Sequence, residues 1–438
     1  MTSVSAYMML LKHQRKKSML KKDLVYIASG MAYSRIVLSD VINSEEIRGR
    51  VKELYAQLRG YAGHDFGMLF NGWAEKRIGH ILKEQYSDIV KEIHADSGGL
   101  QVITRGVALN DQVKDNVYKT QAAYSNVAMC FDEIPVRTNI KSSRNDNSNR
   151  FFIPEELEGK ARLTGKNVKR QIEVFLEADT IARPCLIIQG NDYDSYMRWT
   201  EYCLSEIPKD HHKYICGVAM GGAALGTGFL EDIKRAMYFR QLPIETEDNY
   251  MHILGVGAVN RLIPYLIFGH SGYYKPDTLI SYDSTTHTSG VDMGQYFSLR
   301  DTSTLQFTRA FTNAYIQINE EITDNIPGYE YSAHQLHHAL NSNTTTYTKD
   351  ISDFVYLRNA FLTSSIKNFM TVVNNIKDNE DELILRAESV KGGGGALRAL
   401  FSVKDRSDFE AWLRDYGKYI PSKPVNLEGQ TVSLDDFL

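Results

Sequence analysis

Carboxylates at the ends of apolar runs are the residues of this sequence best suited to chemistry. Asp283 directly follows the apolar run 278–282 and begins a stretch of small polar residues that continues to Gly290. A strand end that opens into such a loop presents a carboxylate to a substrate, and we interpret Asp283 as a nucleophile. The simpler interpretation is a turn or capping aspartate, since Asp is common in loops rich in Ser, Thr and Gly.

Other polar residues occupy equivalent positions elsewhere in the chain. Each follows a predicted strand: Asp96, Asp132 with Glu133, Gln189 with Gly190, Gly221 with Gly222, and Gly255 with Gly257. In a barrel the carboxyl ends of the strands share one rim, where active sites of that fold are built. The repeated coincidence favours a single site over turn chemistry alone.

The elements that would position these residues alternate along the chain. Strand-like runs cover 24–28, 66–70, 126–131, 185–189, 214–220, 252–256 and 278–282, and helical patterns cover 44–58, 75–93, 166–178 and 195–206. Strands that are almost continuously apolar are typical of a parallel sheet buried on both faces. The predicted fold class is α/β, a (β/α)8 TIM barrel; a doubly wound open sheet is the alternative that periodicity does not exclude.

The composition of the chain limits the class of protein to which it can belong. The chain has 438 residues, 43% hydrophobic and 24% charged, with a net charge of −4. These values are typical of a soluble globular protein, and the charge excludes a wholesale binder of polyanions. No apolar run reaches the length of a membrane span, so we expect a cytoplasmic protein with no membrane partner. The cysteines lack C-x-x-C spacing, which favours buried free thiols.

Three further segments accompany the predicted barrel, 24–305. Residues 1–23 form a basic N-terminal arm with Lys16 and Lys17, and 137–164 form a polar insert at the catalytic rim with Arg137, Lys141, Arg144 and Arg150. These cations are candidates to hold a polynucleotide backbone; the alternatives are a solvated helix face for the arm and a plain surface insert. Residues 306–438 are predicted to be mostly helical, with helices over 307–321, 332–341 and 355–376, and to end in a small α+β appendage around Gly392–Gly395.

Read together, the rim residues resemble a known family. The segments are Asp96-Ser-Gly-Gly-Leu-Gln101, Phe131-Asp-Glu133, Ile188-Gln-Gly190, Gly217-Val-Ala-Met-Gly-Gly222, Leu254-Gly-Val-Gly257 and Tyr282-Asp-Ser284. In order and approximate spacing they resemble the motifs of the tRNA-guanine transglycosylase superfamily, over residues 60–300, with a fainter trace near Tyr331-Ser332. The resemblance implies exchange of a guanine in a polynucleotide for a 7-deazaguanine. It makes Asp283 the nucleophile at the anomeric carbon and Asp96 the general acid/base, assisted by Ser97.

The same resemblance implies a guanine pocket. Asp132 would accept hydrogen bonds from guanine N1–H and the N2 amine, a pattern that adenine lacks. Gln189 and the backbone N–H of Gly222 would satisfy O6, with Gly221 beside it allowing close approach of the main chain. Leu100 and Leu254 stand where relatives sandwich the base. A tight βα turn is the alternative for the Gly221–Gly222 pair.

Besides Leu100 and Leu254, which replace the aromatic and methionine side chains of many relatives and weaken stacking, the sequence departs from the family in two ways. The Pro-Thr-Arg segment that follows the nucleophile in tRNA enzymes is replaced by 284–290, which contains His287 but no arginine. The family's zinc cysteines fall at Thr323, Asn325 and Gly328, which cannot replace thiolates, so we predict no structural zinc and no other cofactor.

These departures resemble the phage and bacterial transglycosylases that modify DNA. The predicted function is therefore a DNA-guanine transglycosylase, in the host cytoplasm if phage-encoded. Its partners would be DNA with the target guanine flipped out, a free 7-deazaguanine base such as preQ0 and, in a homodimer, a second copy of the chain. His287 joins the candidate DNA contacts. The alternatives are a tRNA-guanine transglycosylase and a non-catalytic nucleic-acid-binding partner subunit.

Overall fold

The fold is described from a computed structural model. It covers residues 24–29, 49, 52–54, 56–58, 67–88, 90, 92–99, 110–138, 150–221, 228–244, 246, 249–284, 295–299, 305–309, 351–391 and 393–421. The structural statements below concern these residues.

Parallel strands form the centre of the molecule. The strands are β1 (Leu24–Ser29), β2 (Gly67–Asn71), β3 (Glu92–Asp96), β4 (Val127–Met129), β5 (Val136–Thr138), β6 (Arg150–Phe152), β7 (Arg183–Ile188), β8 (Gly217–Met220), β9 (Tyr250–Ile253), β10 (Leu279–Ser284), β11 (Gln295–Leu299) and β12 (Leu305–Arg309). One parallel sheet closes into a barrel in the order β1-β10-β9-β8-β7-β4-β3-β2. Every residue of β4, β7, β8 and β9 is buried, as expected for strands covered on both faces. The predicted α/β barrel is confirmed.

Helices cover the outside of the sheet. They are α1 (Lys76–Gln85), α2 (Asp111–Tyr124), α3 (Leu157–Glu177), α4 (Tyr193–Ser205), α5 (Phe229–Tyr238), α6 (Val259–His270), α7 (Ile351–Asp378), α8 (Glu380–Glu388), α9 (Gly394–Ala399) and α10 (Arg406–Tyr416). Side chains cap some of these helices: Asn110 accepts from the backbone N–H of Val113 before α2, and Asp192 and Ser195 form a capping box at α4. The capping box fixes the start of α4 close to the end of β7.

Two pairs of antiparallel strands lie outside the barrel sheet. β5 pairs with β6 directly after β4, and β11 pairs with β12 after β10. The second pair contacts α7, where the backbone N–H of Phe297 donates to Ser365 Oγ at 3.0 Å and Asn368 donates to the Phe297 carbonyl at 2.9 Å. The C-terminal helices therefore pack onto the part of the chain that follows Asp283.

The four cysteines are free and buried, which confirms the expectation for Cys130, Cys185, Cys203 and Cys216. Within the described ranges, no helix combines the length and apolarity needed to cross a lipid bilayer.

One predicted helix was wrong in its second half. The pattern over 75–93 was interpreted as a single helix, but α1 ends at Gln85 and Glu92–Asp96 is strand β3. Apolar and polar side chains alternate along β3, with Ile93 and Ala95 fully buried between the polar residues Glu92, His94 and Asp96. A strand whose alternate positions are polar lacks the continuous apolar run used to find the others.

Three further predicted segments can be compared with the structure. Residues 307–309, predicted as helix, belong to β12, because 305–309 alternate apolar and polar residues. Within the predicted polar insert 137–164, α3 begins at Leu157 and buries an apolar stripe from there. The described residues from 351 onward contain helices and no strand, so the β part of the predicted C-terminal appendage is not found among them.

Candidate functional site

The predicted site residues lie at one end of the parallel sheet. Asp96 is the last residue of β3 and Asp283 lies at the end of β10. Gln189 and Gly221 directly follow β7 and β8, and Asp132 comes shortly after β4. Because all these strands run parallel around one barrel, their carboxyl ends form a common rim.

Asp283 is buried and held by two donors. Its side chain is 13% exposed. Oδ1 accepts a hydrogen bond from the backbone N–H of Gly255 at 2.9 Å and lies 3.1 Å from His252 Nε2. Gly255 has φ +67°, a left-handed conformation that residues with a Cβ rarely adopt, and this turn after β9 aims its N–H at the carboxylate. These contacts fix the orientation of the carboxylate.

Asp96 is a carboxylate that binds its proton more tightly than usual. Burial raises its pKa to about 6, and the negative charge of Asp283 adds to the increase. The backbone N–H groups of Gly98 and Ser97 act in the opposite direction, and Glu75 adds a smaller increase. Ser97 itself is fully buried beside Asp96 in the chain. Asp96 therefore exchanges a proton near neutral pH, as a general acid/base must.

Asp132 and Gln189 form a hydrogen-bonded pair. Gln189 Nε2 donates to Asp132 Oδ2 at 2.7 Å, and both side chains are buried. Burial raises the pKa of Asp132 to about 7, while the Gln189 hydrogen bond lowers it. The pair is tightly enclosed, because a Cβ on Gly221 would lie 2.5 Å from Gln189 Oε1. Only glycine fits there without moving the amide.

Leu254 directly follows β9 and is partly buried against the barrel core. It lies at the rim with the other predicted site residues.

Several predicted site residues lie outside the described part of the chain. These are Lys16, Lys17, Leu100, Lys141, Arg144, Gly222, His287 and the positions expected for zinc ligands, Thr323, Asn325 and Gly328. Arg137 and Arg150 are placed only by their backbone, at the paired strands β5 and β6. Because β5 follows Asp132 closely in the chain, these strands leave the barrel at the rim. Across the described ranges, no group of three or more His, Cys, Asp or Glu side chains could hold a metal ion.

Sequence reasoning missed the residues that support the carboxylates. His252 and Ser281 lie behind Asp283, and Asn71 lies opposite Asp96 in the sheet. Asn71 Oδ1 accepts from the backbone N–H groups of Trp73 and Ala74 at 3.0 Å. A usable signal existed: Asn71, His252 and Ser281 are polar residues inside or at the end of otherwise apolar strand runs, where an unsatisfied polar group is costly.

The arrangement is chemically suited to three tasks. A carboxylate fixed by hydrogen bonds can attack an electrophilic carbon, and a second carboxylate with a raised pKa can move a proton. A carboxylate next to an amide can recognise a ligand that presents adjacent donors and an acceptor. No model of a known protein family and no curated protein matches the chain.

Proposed function

We propose that the chain is a DNA-guanine transglycosylase, built on a (β/α)8 barrel with a C-terminal appendage. It would exchange guanine in DNA for a 7-deazaguanine base such as preQ0 through a covalent aspartyl–sugar intermediate. The observation that carries the proposal is the pair Asp96 and Asp283 at one rim, where the charge of Asp283 contributes to a pKa of Asp96 of about 6. The carboxylate–amide pair of Asp132 and Gln189 on the same rim supplies base recognition.

In the first displacement, a carboxylate oxygen of Asp283 bonds to C1′ of the target nucleotide as the C1′–N9 bond breaks. The bonding pair leaves with guanine, which takes a proton from Asp96. The raised pKa of Asp96 keeps this proton available until the leaving base needs it. Formation of the ester removes the negative charge of Asp283, and with it one cause of the raised pKa of Asp96.

In the second displacement, the incoming 7-deazaguanine loses its N9 proton to Asp96. N9 then attacks C1′, and the ester bond breaks to return the Asp283 carboxylate. The proton given to guanine is recovered from the new base, so no other proton donor is consumed. Two inversions at C1′ leave the sugar configuration unchanged, in the manner of retaining glycosidases.

Recognition of guanine follows from the buried pair. Asp132 would accept from guanine N1–H and N2–H, and the Gln189 amide would turn towards O6, as would the backbone N–H of Gly222. Glycine at position 221 leaves room for this amide, since a Cβ there would lie 2.5 Å from Gln189 Oε1. Adenine lacks both donors, so it would leave a buried carboxylate without partners.

DNA is preferred to tRNA because the segment after Asp283 lacks an arginine and the insert after Asp132 is basic and polar. Arg137 and Arg150, at β5 and β6, are candidate contacts to the phosphates next to a flipped guanine. Such contacts would make binding weaker as the salt concentration rises.

The test is to incubate the protein with radiolabelled preQ0 and, separately, guanine-containing duplex DNA, single-stranded DNA or tRNA. We expect label in DNA, and a protein–DNA adduct on denaturing gels that disappears in Asp283→Asn. Asp277→Asn is the matched control, because Asp277 is exposed just before β10, at the opposite end of the same strand from Asp283.

Three results would contradict the proposal. Label and adduct found with tRNA alone would make the protein a tRNA enzyme. An adduct that survives Asp283→Asn would place the nucleophile elsewhere. DNA binding without adduct or exchange, unchanged by Asp283→Asn, would indicate a non-catalytic partner subunit.

A further inference from the structure

A chain of hydrogen bonds runs from Asp283 into the barrel. Asp283 Oδ1 lies 3.1 Å from His252 Nε2, and His252 Nδ1 lies 2.7 Å from Ser281 Oγ. Ser281 Oγ in turn lies 2.5 Å from the hydroxyl of Tyr250. His252 is fully buried, and Ser281 and Tyr250 are almost so. Each polar atom of this hydrogen-bond chain thus has its partner inside the protein.

The register of two neighbouring strands produces this chain. In the pairing of β9 with β10, His252 stands opposite Ser281, and Tyr250 lies two residues earlier in β9. Residues two apart in a strand point to the same face, so Tyr250 and His252 share a face, as do Ser281 and Asp283. The ring centroid of His94, from β3, lies 5.6 Å from that of His252.

The direction of the hydrogen bonds follows from the chemistry of each group. The buried hydroxyl of Tyr250 has one proton and forms its hydrogen bond with Ser281 Oγ, so it donates to Ser281. The Ser281 hydroxyl then uses its one proton for His252 Nδ1, which must be the acceptor nitrogen. Nε2 therefore carries the ring proton and donates it to Asp283.

We infer that His252 is a positioning residue for Asp283, and that Ser281 and Tyr250 set its Nε2–H tautomer so that it donates to the carboxylate. Together with the N–H of Gly255, His252 holds Oδ1 from a second direction. Two donors on one oxygen fix the plane of the carboxylate relative to the sugar that it attacks. The role of His252 in the displacement rests on the proposed function, whereas the hydrogen-bond geometry is independent of it.

Substitutions at His252 separate the donor from the bulk of the ring. His252→Gln keeps an N–H close to the position of Nε2, whereas His252→Phe keeps a ring and removes the donor. We expect His252→Phe to lower kcat for base exchange and the rate of adduct formation roughly 100-fold, with little change in KM, because a misplaced nucleophile slows the chemical step. His252→Gln should recover most of the rate.

Controls address folding and location. His80→Gln changes an exposed histidine on α1 and should leave both rates at the wild-type value. Thermal unfolding of each variant is measured in parallel. If His252→Phe fails to fold, the comparison of His252→Gln with wild type decides: a 100-fold loss in a folded His252→Gln protein would show that an N–H at this position is not sufficient, and would overturn the inference. Wild-type rates in a folded His252→Phe protein would also overturn it.

A second measurement does not depend on catalysis. Two-dimensional NMR of protein labelled with ¹⁵N in the histidine rings, assigned by comparison with His252→Gln, reports which nitrogen carries the proton. We expect the Nε2–H tautomer in wild type and its loss in Ser281→Ala. An Nδ1–H tautomer in wild type would refute the chain of donors even if the exchange reaction were found. If wild type formed no adduct with any nucleic acid, the proposed function would fail while this measurement still tested the hydrogen bonds.

Discussion

The buried carboxylate of Asp132 should make the protein less stable as the pH rises. Its pKa is raised from 3.8 to about 7, mainly by burial. Between these values the unfolded chain releases the proton and the folded chain keeps it, so the free energy of unfolding falls with increasing pH. Below pH 3.8 both states are protonated, and above pH 7 the full cost of the buried charge is present.

The magnitude follows from the size of this increase. Each pH unit by which a pKa differs between the folded and unfolded states is worth about 1.4 kcal/mol. The increase of about three units at Asp132 therefore corresponds to an upper limit of about 4 kcal/mol. Asp96 adds a similar but smaller effect that is complete near pH 6, where its own pKa lies. The interval from pH 6 to pH 8 thus isolates the last third or so of the Asp132 contribution, about 1.4 kcal/mol.

Asp132→Asn tests this directly. Asparagine can still accept the hydrogen bond from Gln189 Nε2, but it carries no charge at any pH. We expect the variant to be more stable than wild type at pH 8 by about 2–4 kcal/mol and close to wild type at pH 4. It should at the same time lose affinity for guanine, because an amide cannot accept from both N1–H and N2–H.

The assay is urea unfolding followed by circular dichroism at several values between pH 4 and pH 8.5. Asp415→Asn, an exposed aspartate on α10, is the control and should follow the wild-type curve. If the stability of Asp132→Asn fell with pH as steeply as that of wild type, the carboxylate would be solvated in the folded protein. The proposed recognition of guanine by a buried pair of Asp132 and Gln189 would then be wrong.

Three further substitutions test other contacts. Gly221→Ala should push the Gln189 amide away from Asp132, since the new methyl group would lie 2.5 Å from Gln189 Oε1; we expect a loss of about 1–3 kcal/mol, measured by thermal unfolding, and weaker guanine binding by calorimetry. Gln189→Leu removes a hydrogen bond that lowers the pKa of Asp132, so an NMR titration of the ¹³C-labelled carboxyl should show that pKa rising. Asp232→Ala leaves the buried Arg235 without its ion pair and should cost about 3–5 kcal/mol in urea unfolding; a loss below 1 kcal/mol would mean that water reaches the pair.

Much of the barrel could be predicted because its strands are buried on both faces. The runs ending near Asp132, Gln189, Gly221 and Asp283 are continuous in apolar residues and stop at polar ones, which gives both the strand and its end. Strand β3 was missed for the opposite reason. Its alternate residues are polar, because they carry part of the site.

The sequence by itself determined which residue types stand at the strand ends and in what order along the chain. It contained Asp96, Asp132, Gln189 and Asp283, and local patterns were enough to place the last three at carboxyl ends of strands, whereas the strand before Asp96 was missed. Periodicity is a local property, so it could also predict that these strands are parallel and buried.

Only the tertiary structure decided how those residues affect one another. The raised pKa of Asp96 depends on burial and on Asp283, a residue from a distant strand. His252 acts on Asp283 because the register of β9 against β10 brings them together, and strand register is set by the closed sheet as a whole. Hydrogen bonds and charges act over a few ångströms in space, whatever the separation along the chain.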